Sequence, residues 1–159
     1  MKKIISTLLL ICVLSSAFAQ KKKAYSLFNA KGKKVSYAKM LRTLAKNEVV
    51  TFGELHNNPI SHWLQLEVTK DLSKKKKLIL GAEMIEADNQ LVLNDYLKDS
   101  IDYKKLDSAA RLWSNYKTDY APLVDFAKNN KLQFIATNIP RRYAKLVYRK
   151  GFNALDSLS

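Results

Sequence analysis

The sequence predicts an α/β fold in which parallel strands alternate with helices, preceded by an N-terminal β-hairpin and lacking the C-terminal part of a full domain. Three observations lead there. Short apolar, β-rich runs occur at Val49–Phe52, Leu78–Ala82 and Leu132–Thr137. Stretches with apolar residues at helical spacing separate them, the pattern of a parallel sheet with helical crossovers. The chain stops at Ser159 with no closing element after the third run, so the expected sheet is thin and the domain reads as truncated.

Each element has a local reason. Residues 1–19 read as an export signal: Lys2 and Lys3 form a basic start, Ile4 to Leu14 an apolar run, and Ala17-Phe18-Ala19 a small-x-small cleavage site. That run is shorter than the ~20 apolar residues of a membrane-spanning helix. Ile11 precedes Cys12, where a lipid-attachment site needs a small residue. Residues 20–24 form a charged linker, and residues 25–159 are the predicted domain. Tyr25–Phe28 and Val35–Tyr37 flank Asn29-Ala-Lys-Gly32, which reads as a hairpin turn. Met40, Leu41 and Leu44 give Tyr37–Lys46 a helical period.

After the Val49–Phe52 strand comes a polar loop over 54–59. Ile60, Trp63, Leu64, Val68 and Leu72 then mark an amphipathic helix to Ser73, closed by Lys74–Lys77 against its negative end. Further helices are predicted over 88–97, 102–113 and from about 118 to 130, the first two starting at Asp caps and the third carrying Pro122 in its first turn. A last helix runs to Lys150, where Gly151 stops it. Leu146, Val147, Phe152 and Leu155 are expected to lie exposed at the unclosed edge.

Composition narrows the function. A chain of 159 residues with 47% apolar side chains can bury one sizeable core and is too short for a multidomain enzyme. Its single cysteine falls within the export signal, which excludes a disulfide framework and suits an oxidising envelope compartment. The net charge of +14 sits in runs such as Lys21–Lys23 and Lys74–Lys77 without interleaved aromatics, so solvated helix ends are expected rather than a nucleic-acid surface. Attraction to anionic lipid headgroups fits the same charge.

Ligands of open parallel sheets bind beyond the carboxyl ends of the strands. The first strand delivers Glu54 and His56 there, the second Glu83 and then Glu86, the third Asn138, Arg141 and Arg142. His62, at the start of the next helix, brings both histidines of the chain to one strand end. Singly each has a structural explanation: Glu54 complements a helix N-terminus, Glu83 pairs with Arg141 or Lys39, and the arginines open a helix. Together they describe a site. An imidazole with two carboxylates can hold a divalent metal or act as a base steered by an acid, with Glu54, His56 and Glu83 as candidates for either role. The spacing matches no recognised zinc signature, and there is no phosphate loop or nucleophile elbow. Arg141 and Arg142 can bind carboxylates or phosphates.

The segment Val49-Val-Thr-Phe-Gly-Glu-Leu-His56 with Pro59 and His62, then Gly81-Ala-Glu-Met84, then Ala136-Thr-Asn-Ile-Pro-Arg-Arg142 and Gly151 resembles the ChaN-like haem-binding uptake family, within the Tiki/TraB/erythromycin-esterase-like group. The likeness covers the N-terminal half of a typical member. It implies an exported bacterial protein of haem or iron acquisition, often lipid-anchored, binding haem at a homodimer interface. The positions matching the family's site are Glu54, His56, His62, Glu83, Asn138 and Arg141. Hydrolases in the wider group imply the alternative of Glu/His acid–base or metal-assisted hydrolysis, and the short chain implies a second alternative, an inactive truncated paralogue.

Overall fold

The computed structural model describes residues 23–158. The predicted export signal, and residues 20–22 of the linker, lie outside them. Two units are formed, divided after Ser36.

The first contains the expected hairpin, β1 (Leu27–Phe28) against β2 (Lys34–Val35), antiparallel with Leu27 opposite Val35. Its turn is made by Asn29, whose Oδ1 accepts from the amides of Lys31 and Lys33 at 3.0 and 2.9 Å. Gly32 takes the left-handed φ of 70° that this turn demands.

The second unit is α/β. Helix α1 (Tyr37–Leu44) leads into an irregular segment, then α2 (Pro59–Ser73). Asn58 caps α2, its side chain accepting from the Ser61 amide at 3.0 Å, and Pro59 occupies the first turn, where its missing N–H costs nothing. Strand β3 (Ile79–Glu86) follows, then a 3₁₀ turn (Ala87–Asn89) and α3 (Gln90–Leu97). Helix α4 (Tyr103–Ala109) starts at Asp102, which caps the Lys105 amide at 2.8 Å as its position predicts. The helix stops at Ala109 rather than running to 113. A π-helical turn (Tyr116–Tyr120) precedes α5 (Ala121–Asn129). Strand β4 (Gln133–Asn138), α6 (Arg141–Lys150) and a 3₁₀ segment (Phe152–Leu158) complete the order. Asp88 does not cap a helix: it lies inside the 3₁₀ turn and turns to arginines.

Strands β3 and β4 pair in parallel, in register from Ile79 opposite Gln133 to Ala82 opposite Ala136. The register then slips, and Glu86 comes to lie opposite Asn138. This bulge carries β3 four residues beyond the predicted end, placing Glu83 inside the strand rather than after it. Gln90 protects the outer edge of β4. Its side-chain amide donates to the Phe134 carbonyl at 2.9 Å and accepts from the Ala136 amide at 2.7 Å, doing for β4 what a neighbouring strand would do.

The predicted first strand does not join the sheet. Residues 49–52 form no regular secondary structure and bear no strand ladder, and Val49 is 79% exposed. A groove of about 520 Å³ is lined by Val50 and Phe52 on one side and Ile79 and Leu80 on the other. The sequence preference is real, but β-propensity expresses packing against neighbours. No helix covers Val49, and no β3 backbone group closes on this segment.

The core lies between the sheet and the helices α3 to α5. Phe134, Ile85, Leu93, Leu106, Val124 and Tyr116 are its largest fully buried side chains. Tyr96 ties two of these helices by donating to Asp125 at 2.6 Å. Of the four apolar residues expected at an open edge, Phe152 is 77% exposed. Leu146, Val147 and Leu155 are half-buried, because the 3₁₀ segment folds back along α6.

Candidate functional site

The irregular segment before α2 delivers Glu54 and His56, and α2 delivers His62. These three come together. Glu54 is almost fully enclosed, with its side chain 6% exposed. His62 Nδ1 approaches Glu54 Oε2 at 3.1 Å, and His56 Nδ1 approaches Glu54 Oε1 at 3.6 Å. Both are ion-pair distances without hydrogen-bond alignment, so neither carboxylate oxygen receives an aligned donor.

His62 is buried rather than rim-facing, correcting the expectation from its place at a helix start. Its Nε2 lies 3.1 Å from the His56 carbonyl, which accepts, and 3.8 Å from Asp119 Oδ2. Asn115 donates to the same carbonyl at 2.7 Å and to Asp119 at 2.8 Å. The loop is thus pinned from α2 and from the π-helical turn at once. That turn widens the backbone so that Asp119 and Tyr120 both reach His62. The Tyr120 ring meets the His62 ring edge-on at 4.8 Å. Burial, reinforced by the neighbouring Glu54 carboxylate, holds the Tyr120 hydroxyl above its usual pKa.

His56 is the accessible member, its side chain 55% exposed and its ring edge-on to Trp113 at 4.8 Å. A cavity of about 280 Å³ is lined by Glu54, His56 and Glu83, with Gln65, Met84 and Leu123 among its walls. The three candidates for acid–base chemistry therefore share one cavity.

The third strand's residues form a separate cluster. Among the described residues Glu83 forms no ion pair with Arg141. The partner of Arg141 is Glu86, buried at the end of β3. Glu86 Oε2 accepts from the Arg141 amide at 2.7 Å and from Arg111 Nη2 and Nε at 3.0 and 3.2 Å. Burial opposes its charge, but the Arg141 amide and Arg111 outweigh that, and its carboxyl lies below the usual pKa. Asp88 bridges Arg111 and Arg142. Arg111, Arg141 and Arg142 keep roughly half or more of their side-chain surface in solvent. Asn138, opposite Glu86 in the sheet, is half-buried.

Asp119, Asn115 and Arg111 were not among the sequence candidates. The π-helical geometry that turns Asp119 inward has no signature in the sequence, and Arg111 stands in what read as helix interior. Among the described residues, no group of three or more His, Cys, Asp or Glu is arranged to hold a metal ion.

The comparisons with known proteins agree with this architecture. The structure is similar to that described as "Cofacial heme binding to ChaN of Campylobacter jejuni", with a TM-score of 0.65 and 23% identity, covering 79% of this chain and 52% of that one. At that identity the likeness establishes the fold. Protein RETICULATA-RELATED 5, chloroplastic, of Arabidopsis thaliana is 27% identical over 134 residues, 79% of this chain and 18% of the plant protein. The chain thus spans about half of the solved relative and less than a fifth of the curated one. The family model described as "Haem-binding uptake, Tiki superfamily, ChaN" matches residues 40–159, and the chain belongs to that family.

Proposed function

We propose that this chain is an exported haem-binding protein of the bacterial envelope, taking haem as cargo for iron uptake. Family membership is the observation that carries the reading. The residues present fit haem in two respects. Exposed guanidiniums at Arg111, Arg141 and Arg142 suit its propionates. The half-exposed pair of His56 and Trp113 offers an imidazole and an aromatic wall. The cavity beside them, at about 280 Å³, is at the lower limit of ligand pockets. His56 and Trp113, with the arginines, would hold haem at this rim, and a second copy of the chain would complete the site. The cofacial arrangement named for the Campylobacter relative supports this pairing.

Haemin titrated into the folded protein is expected to give a saturable Soret shift that weakens in the Arg141→Gln/Arg142→Gln variant. A folded protein with no saturable shift overturns the reading.

A second reading is favoured by one observation, the sharing of a single cavity by Glu54, His56 and Glu83. In it His56 acts as general base, Glu54 orients it, and Glu83 supplies a proton in hydrolysis of a small substrate. If hydrolysis is detected and survives both Glu54→Gln and His56→Ala, this reading fails.

A further inference from the structure

Helix α6 combines features that the haem reading does not use. Its sequence, Arg141 to Lys150, carries five cations and no acidic residue, and none of its side chains is fully buried. Tyr143, Leu146 and Val147 form a half-buried side. On the opposite side Arg141, Lys145 and Tyr148 follow one another at spacings of four and three, with Arg149 four residues after Lys145. Arg141 and Arg142 are engaged by Glu86 and Asp88, but Lys145, Arg149 and Lys150 make no ion pair among the described residues. Tyr148 is 91% exposed, and Phe152, just past the helix, is 77% exposed. Exposed aromatic rings leave apolar surface in water, and with unpaired cations beside them they match an interface of anionic headgroups over acyl chains, where the rings enter and the cations pair. No described helix is long and apolar enough to cross a membrane, so the match is to lying on a surface.

We propose that the outer face of α6, through Lys145, Tyr148, Arg149, Lys150 and Phe152, docks the protein on an anionic phospholipid surface. This goes beyond the haem reading and does not depend on it. A neutral protein surface offers the cations nothing, whereas a lipid phosphate layer answers both the charge and the aromatic rings.

The test is co-sedimentation of the full folded protein with phosphatidylglycerol vesicles and with phosphatidylcholine vesicles, at low and high salt. Binding is expected only to the anionic vesicles and is expected to fall with salt. The triple variant Lys145→Gln/Arg149→Gln/Lys150→Gln should bind on the order of a hundredfold more weakly, taking each cation near a charged leaflet at about fivefold. Tyr148→Ala/Phe152→Ala should weaken binding about tenfold at high salt, where charge is screened. Since α6 buries none of these side chains, all variants should melt with the parent. A control, Lys74→Gln/Lys75→Gln/Lys77→Gln, removes the same charge elsewhere and should bind within a few-fold of the parent. Equal loss in the control and the α6 variant would reduce the effect to net charge and overturn the proposal. So would absence of binding by the folded protein, or a stable dimer that buries Tyr148 and ignores vesicles.

Discussion

Removing the Glu86 carboxylate should unfasten three parts of the chain at once. It sits at the end of β3, with its side chain 6% exposed, and receives the first-turn amide of α6 together with two donors of Arg111 from the segment after α4. Hydrogen bonds to a charged partner contribute roughly 1.5–3 kcal/mol each when desolvated. Arg111 is half exposed, so water recovers much of its share. The Arg141 amide, at 2.7 Å, keeps most of its own. Glu86→Ala should therefore cost about 3 kcal/mol, and Glu86→Gln, which retains an acceptor oxygen, about 1–2 kcal/mol. The pH dependence supplies an independent check. Because the folded carboxyl lies below its ordinary value of 4.5, its contribution is complete above that pH and is lost as pH falls through the lower folded value. Urea unfolding at several pH values should show the parent converging on Glu86→Gln in acid, with unchanged m. A cost below about 1 kcal/mol for Glu86→Ala, or a constant gap between parent and Glu86→Gln from neutral pH to pH 3, would refute the assignment.

Other positions test other parts of the fold. Phe134→Ala, at a side chain 1% exposed, should cost about 3–5 kcal/mol in the same urea assay. Gly81→Ala places a Cβ 3.1 Å from the Thr137 methyl across the sheet, and since β-branched Thr137 cannot readily swing away, a loss of about 1 kcal/mol is expected by thermal melt. Asn58→Ala removes the cap of the helix that carries His62 and should cost about 1 kcal/mol, with Asn58→Asp close to the parent.

What the sequence made legible follows a physical division. The runs at 78–82 and 132–137 are rich in apolar and β-branched residues and both became paired strands, although only one face is covered, leaving Ile79 63% and Ile135 38% exposed on the other. The run at 49–52 has the same β-rich composition, but only tertiary neighbours decide whether such a segment pairs, and Val49 is left 79% exposed. The extension of β3 through Glu86 was hidden because two glutamates look like a loop. Glu86 is tolerated in a buried strand end because Arg111, 25 residues further along the chain, comes back to it from a separate segment. Glu54, His56 and Glu83 do line one cavity, but not as the strand-end rule supposed: residues 49–52 form no strand, Glu83 lies within β3, and Asn138, Arg141 and Arg142 stand in a separate cluster. The burial of His62 was not legible, because it depends on Asp119 and Tyr120 arriving from the π-helical turn.

The two clusters at the end of the sheet share an arrangement of charge. In each, an enclosed carboxylate lies inside and a cationic or donor group lies outside it: Glu54 behind His56, and Glu86 behind Arg111 and Arg141. A buried carboxylate fixes the direction of the group in front of it more firmly than water would, because the low-dielectric interior strengthens the attraction and the enclosed partner cannot move. The Arg111 guanidinium, hydrogen-bonded to Glu86, is therefore oriented before any ligand arrives, whereas the half-exposed His56 ring stands 3.6 Å from Glu54 without an aligned hydrogen bond. At the guanidinium cluster such a rim favours an anionic ligand, since Glu86 and Asp88 are already paired with the arginines, and ordering those side chains in advance lowers the entropy lost on binding.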